Sequence, residues 1–484
     1  MSAPHQPERI RAPWPDRALT VCGVLLLLAM PLPAGSNRDW ALAGFAVAWA
    51  GLAALVAFRV LALPRPRRLD RTQIGAVVVW CLWLLWIALQ AAPLPVPLLE
   101  ALAPASLSAY REASAWVGMS ALPRISVDVD QTHAHLRESA MYFCLFLWVL
   151  LCVRDRRNRI WLVYGLILAA VLQALWGTTM TLSGAEIGPF GRKTDYLGSA
   201  TGSFINRNHF AGYLQIGGAL AVGLLLARVA TAERVRGWRE ALRALINLVL
   251  GHAPLLRIAL LLIVVGLVAS RSRMGNIAFF TAITLGGVLF ILRNRGNPLR
   301  SLLFLALVLA LDLVIVGGYL GLDELMQRMQ PTQLMADQRL ASFPDLVRMA
   351  EHYLPLGAGL GSFAVAYPQF RSPAVFANNT HAHNDPLQFL IETGIPGVVL
   401  LGLLLTLALG RALQVMRRRR DPQTLGMALG AALAVLSLGL HGLTDFNLQI
   451  PANAASIVAL LGLMLGLSAR PRRRREDSAE QPLA

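Results

Sequence analysis

The sequence predicts an all-α, polytopic membrane protein: a helix bundle of about 12 spans with a large, partly helical outward loop between spans nine and ten. Three observations predict it. Of the 484 residues, 56% are hydrophobic and 15% charged, against about 45–50% and about 25% in an ordinary soluble domain. Mean hydropathy is +0.55. The apolar residues come in blocks of roughly 17–25, the length that crosses a hydrocarbon core, and arginine runs separate alternate blocks.

The blocks, in chain order, are 18–34, 40–62, 73–92, 138–153, 160–182, 210–228, 257–270, 275–292, 301–320, 387–410, 424–443 and 452–469. Residues 1–17, with Arg9, Arg11 and Arg17, are placed inside. The runs "RPRRLDR", "RDRRNR", "RNRGNPLR", "RRRR" and "RPRRRR" then all fall on the cytoplasmic side, as positive-inside bias requires. Both termini are then cytoplasmic, residues 18–469 form one transmembrane domain, and 470–484 form an Arg-rich tail. No small-residue cleavage site follows the first block, so it reads as a retained span.

The net charge of +17 suggests nucleic acid, but its placement argues against that. Lys193 is the only lysine, and the arginines sit in loops between spans. The partner of that charge is a phospholipid bilayer, and no nucleic acid is expected. Segment 232–249, with Arg234, Arg236, Arg239 and Arg243, reads as a cytoplasmic amphipathic helix on an anionic leaflet. Cys22, Cys81, Cys144 and Cys152 lie inside apolar blocks, with neither metal-site nor disulfide spacing, and read as small apolar packers.

Three long connections face outward: 93–137, 183–209 and 321–386. Arg192, Lys193, Arg207, Arg271, Arg273, Arg339, Arg348 and Arg371 stand on this face, which the bias should deplete. Arg271 and Arg273 occupy a very short turn. They serve either to snorkel to headgroups or to clamp a diphosphate, whose oxygens a planar guanidinium matches. After Arg339, Ser342 reads as an N-cap with Pro344 in the first turn and Asp345 closing a capping box. The helix would run to about Tyr353, with Phe343, Leu346, Val347 and Ala350 on its apolar face. The glycines of "PLGAGLGSF" (355–363) suit a tight turn against a ligand or another backbone.

"HAHNDPLQFLIETGIPG" (381–397) closes the longest loop. His381/His383 and His133/His135 are His-x-His pairs, but a metal site needs a further ligand and more specific spacing, so no metal is assigned. Asp312 lies mid-span, a functional candidate by position, with a structural hydrogen bond as the alternative.

His383-Asn384, nine residues, then Gly394-x-x-Gly397 resembles the His-Asn-x9-Gly-x-x-Gly pattern of O-antigen ligases. The wider chain is similar to the superfamily that joins those ligases to O-antigen polymerases and pilin-glycosylating transferases. "GSFINRNHFAGYL", "SRMG", "QRLASFPDLVRMAEHYLPLGAGLGSF" and "HGLTDFNLQIPAN" carry the likeness over most of 130–470. The resemblance implies a bacterial inner-membrane enzyme with a periplasmic active site. It would transfer a glycan with inversion from undecaprenyl diphosphate to a sugar hydroxyl of lipid A–core, without cofactor or metal. A polymerase reading keeps the donor but takes a glycan acceptor. By the same likeness two arginines and a histidine act: Arg273, with Arg271 competing, Arg339 and His383. His383 is then either the base for the acceptor hydroxyl or a phosphate ligand. Asn206, Asn208 and Asn384 are candidate sugar or phosphate hydrogen-bonders. Glu392 lies deeper and orients the loop or pairs with an arginine. A flippase would need cations lining a path through the spans, and mid-span charge is sparse.

Overall fold

The computed structural model describes residues 14–62, 68–118, 122–231, 254–293, 298–320, 338–373, 375 and 379–469. Helices dominate: α1 (Trp14–Ala29), α2 (Asp39–Ala62), α3 (Arg71–Ala91), α4 (Val96–Leu102), α5 (Pro104–Val117), α6 (Val129–Cys152), α7 (Arg156–Leu182) and α8 (Arg207–Thr231). There follow α9 (Pro254–Ala269), α10 (Arg273–Arg293), α11 (Pro298–Leu320), α12 (Gln338–Tyr353), α13 (Phe363–Ala366), α14 (Asp385–Arg418), α15 (Pro422–Gly442) and α16 (Pro451–Gly466). Among the described residues the only sheet is a two-stranded hairpin, β1 (Ile187–Gly188) and β2 (Gly191–Arg192).

Eight helices among the described residues, α2, α3, α6, α7, α8, α10, α14 and α15, are long and apolar enough to cross a membrane. Helices α9 and α16 and the Pro298–Ala310 part of α11 are shorter apolar helices. Helix α1, 16 residues long, stands where the first block was expected but ends at Ala29. Pro31 and Pro33 follow it, and a proline cannot continue the ladder. The expected amphipathic helix at 232–249 lies outside the described residues, as do 321–337 of the longest loop and the side chain of Asp312.

Helix α8 is buried along almost its whole length, and so is α16. Helix α15 packs on α8 through glycine: a Cβ on Gly430 would lie 2.8 Å from Leu220 Cα, and one on Gly426 2.7 Å from Leu224 Cα. Such close backbone approach is the membrane route to van der Waals packing, because lipid supplies no hydrophobic drive between helices. Helices α8 and α15 are therefore locked backbone to backbone over the half of α8 that leads away from its start. Of the cysteines only Cys152 is buried, whereas Cys22 and Cys81 face outward from the bundle, which corrects the reading of all four as packers.

Helix α14 is two helices. Gly394 at φ 64°, ψ −168° breaks it, a region open essentially to glycine alone. A largely buried helical segment, 385–393, thus precedes the break, and the continuous helix starts at Ile395, inside the expected span 387–410. The broken ladder is repaired from outside. Ala358 N donates to Ile391 O (2.8 Å), Gly359 N to Glu392 O (2.9 Å), Ile395 N to Pro355 O (2.9 Å), and Trp86 Nε1 to Thr393 O (2.9 Å). The "PLGAGLGSF" glycines thus meet another backbone: a Cβ on Gly357 would lie 2.5 Å from Glu392 O.

Gly394→Ala is expected to cost more than about 2 kcal/mol, since the new Cβ adds a collision with Pro355 O to a forbidden backbone. Gly402→Ala, with open space around it, should stay within about 0.5 kcal/mol. Thermal melts in detergent compare the two.

Helix α12 starts at Gln338, four residues before the expected cap. Ser342 sits inside it and donates Oγ to Arg339 O (3.0 Å). Asp345 is no cap either. It accepts from Arg348 Nη2 (2.7 Å) and Ser372 N (3.0 Å), fastening the helix to the loop after it. The buried face is Leu346, Met349, Ala350 and Tyr353, and Phe343 is exposed. Pro344 lies inside the helix, past its first turn, where it removes one i→i−4 hydrogen bond, and the helix continues on either side of it.

Candidate active site

The outward ends of α8, α14, α15 and α16 meet at the turn 443–450. Asn384 caps α14, its side chain accepting from Leu387 N (3.0 Å) while Nδ2 donates to Leu443 O (3.0 Å). Asp385, buried, accepts from Leu448 N (3.0 Å), and its own N–H donates to Asp445 O (3.3 Å). Gly442 leaves room for it: a Cβ there would lie 2.9 Å from Asp385 Oδ2. The turn is therefore sewn to the start of α14 by backbone and side chain together.

Asp445 is the centre of this junction and is fully buried. It accepts from Asn208 Nδ2 at 2.6 Å. Arg339 Nη1 lies 3.3 Å from it, His383 Nδ1 3.4 Å and His209 Nε2 3.7 Å. Arg339 Nη1 also donates to Thr444 O at 2.9 Å. Burial pushes the Asp445 carboxyl up, but the hydrogen bonds of His209 and His383 and the Arg339 charge outweigh it and hold it well below the usual range. A buried carboxylate in this setting is a fixed anion that four side-chain donors share.

Phe446 sets the rings. His381 stacks flat on it at 4.2 Å, while His383 at 4.7 Å and His209 at 4.5 Å meet it edge-on. His383 has φ +51°, a left-handed backbone that costs a non-glycine residue about 1–3 kcal/mol and clusters at functional sites. This strain aims Nδ1 at Asp445 and leaves Nε2 as the second ring nitrogen. The His-x-His spacing separates the two histidines by role: His381 is packed, and His383 is a quarter open, with 22% of its side chain exposed.

Burial holds the His381 imidazole down to about 4, with His209, His383 and His135 adding to it. The unfolded imidazole takes its proton near 6.5 and the folded one near 4. The unfolded chain therefore binds the extra proton in that window, and stability falls as pH drops through it. The slope is about 1.4 kcal/mol per pH unit for one proton. Asp445 adds loss in the same direction below the ordinary aspartate range. Melting midpoints between pH 7 and pH 4.5 should fall, and His381→Gln should flatten that fall.

The loop 183–206 covers one flank. Lys193 Nζ donates to Glu186 Oε2 (2.6 Å) and to the carbonyl of Ser199 (2.8 Å), and Glu186 accepts from Gly198 N (2.8 Å). The clamp presents Tyr196, with the Arg207 guanidinium 5.5 Å over its ring. Burial pushes the Tyr196 phenol up, with Arg207 and Arg339 opposing and Asp445 adding to it. Ala200 N donates to Ala269 O (2.8 Å) and docks the loop on the turn after α9. There Arg271, at φ +54°, lies against Gly198, whose Cβ would be 3.9 Å from Nη1.

Several expected site residues take other places. Arg273 is exposed on the first turn of α10, and Arg271 is the half-buried member of the pair beside the site loop. Arg192 stands exposed on the hairpin. Asn206 accepts from Asn208 N (2.8 Å) at the start of α8, so all three asparagines hold protein groups. Glu392, buried, accepts from Gln388 Nε2 (3.1 Å) and Phe363 N (3.3 Å) and orients the loop. His133 is exposed, and His135 Nδ1 lies on Gln131 O at 2.9 Å and packs over Gly361. Asp445, Phe446, His209 and Tyr196 escaped the sequence reading. The signal for Asp445 was an acid in an outward turn, on a face otherwise rich in arginine.

Residues 258–402 match the O-antigen ligase family. That match supports the O-antigen ligase and polymerase superfamily. The matched segment carries Arg271, Arg273, Arg339, His383, Asn384 and Glu392, while Asp445, His209 and Tyr196 lie outside it. The match to that family implies, in general terms, glycan transfer in a bacterial membrane with lipid-linked glycan and lipid A–core type partners. No curated protein matches the chain.

Proposed function

We propose that this protein is an O-antigen ligase working at the periplasmic face of the inner membrane, within one transmembrane unit of residues 18–469. It moves a glycan from undecaprenyl diphosphate to a sugar hydroxyl of lipid A–core. The observation that carries the reading is the pair Arg339 and His383 on one buried carboxylate, at the outward end of the bundle.

The acceptor oxygen attacks the anomeric carbon, whose bond to the diphosphate oxygen breaks with inversion. The electron pair leaves on the diphosphate, and the hydroxyl proton passes to His383 Nε2. Asp445 on Nδ1 fixes the tautomer that leaves Nε2 free to accept. The diphosphate is already a good leaving group, so it needs charge more than a proton. Arg339 supplies it, with Arg271 as the second guanidinium in preference to Arg273, because Arg271 lies beside the loop that carries Tyr196 and leads into Arg207.

The test is reconstitution. Purified protein in lipid nanodiscs is given undecaprenyl-diphosphate glycan with lipid A–core, or the donor alone. Transfer to lipid A–core supports the ligase. Elongation of the donor glycan replaces that reading with the polymerase, and no product from folded protein overturns the enzyme reading.

A further inference from the structure

The loop between α7 and α8 also carries an apolar tip that transfer chemistry does not use. In the β1–β2 hairpin Ile187 pairs with Arg192 and Gly188 with Gly191. Phe190 at its turn is 58% exposed and Ile187 49%. Two tryptophans clasp it. Trp40, in the first turn of α2 and 65% exposed, meets Phe190 edge-on at 6.4 Å. Trp176, near the end of α7, donates Nε1 to Ile187 O at 3.3 Å. The Arg38 guanidinium sits 6.0 Å over the Phe190 ring.

These contacts fix a depth. Helices α2 and α7 are both long and apolar enough to span, and the arginine pattern puts the start of α2 and the end of α7 on the outward side. Tryptophan at the end of a span marks the headgroup layer. Two such markers, from different helices, bracket one hairpin.

We infer that the 187–192 hairpin lies in the headgroup layer of the outer leaflet. Phe190 and Ile187 enter the acyl boundary, and Arg38 and Arg192 meet lipid phosphates, the arrangement of an interfacial anchor. An aromatic tip bearing its own cations suits an anionic lipid surface better than an apolar protein groove. The anchor adjoins the Lys193–Glu186 clamp, so it also fixes the height of the loop that presents Tyr196 and Arg207. That consequence rests on the proposed function; the depth of the hairpin does not.

The full chain is tested in nanodiscs of phosphatidylethanolamine and phosphatidylglycerol. A nitroxide-bearing noncanonical amino acid replaces Phe190, then Ile187 in a second preparation, and His133 as the water-exposed reference. Collision with dissolved oxygen is compared with collision with a water-soluble nickel chelate. Labels at 190 and 187 should meet oxygen readily and meet nickel at least about tenfold less than the label at 133, as a buried interfacial face requires. Nickel access equal to that at 133 puts the hairpin in water and overturns the inference. Shielding from both probes means that protein covers it, and overturns it too. Neither readout involves glycan transfer, so it stands or falls apart from the ligase reading.

Discussion

His383→Asn is expected to lower glycan transfer by about 10²–10⁴-fold, the usual weight of a positioned proton acceptor. Asparagine is the informative replacement because it tolerates the left-handed backbone at φ +51° that alanine resists. Its amide can still donate toward Asp445, 3.4 Å from the imidazole in the parent. What it lacks is a basic nitrogen. The ring is a quarter open and packs only edge-on against Phe446, so the melting temperature should move by a few degrees at most. Initial rates with lipid A–core acceptor, at saturating donor, measure the effect. Retention of more than about a tenth of the parent rate would remove His383 as the base and leave it as a phosphate ligand. His133→Ala, at an exposed position near the start of α6, serves as the unaffected control.

Asp445 carries the second large effect, and on both stability and rate. It is fully buried and stands among Arg339, His383, His209 and Asn208. Removing one partner from a buried ionic cluster costs about 3–5 kcal/mol, because the charges that remain are left without compensation. Asp445→Ala is expected to lose that much. Asp445→Asn keeps the shape and costs less, but turns amide hydrogens toward donors and releases the hold on His383 Nδ1 and Arg339. Transfer should fall at least about 10²-fold in both variants, mainly in kcat, because orientation of the base is lost before binding is. A folded Asp445→Asn protein with parental kcat would show that Asp445 only packs the turn.

The helical, membrane-spanning character was legible from the chain because it rests on one-dimensional quantities: block length, hydropathy and alternating arginine. The glycine stretch 355–363 was legible for the same reason, since repeated glycine means close approach whatever it approaches. Local capping at Ser342 was misread. The tie from Asp345 to Ser372 is non-local, and it outweighs the capping pattern of four neighbouring residues. The same limit applied to the paired arginines. Spacing cannot say which of Arg271 and Arg273 turns toward the loop; the positive φ at Arg271 and the backbone of Gly198 decide that.

The sequence by itself determined that this chain is an α-helical membrane protein with cations gathered on one face, and which superfamily motif closes its longest loop. Only the tertiary structure decided that Asp445 gathers Arg339, His383 and His209, and which protein groups Glu392 and the asparagines hydrogen-bond. The reason is separation along the chain. Asn208 and Asp445 stand 237 positions apart, and Arg339 and Thr444 105 apart. Hydropathy and periodicity are blind to such pairs, which exist only because the glycine-packed centre brings the outward ends of α8, α14, α15 and α16 to one point.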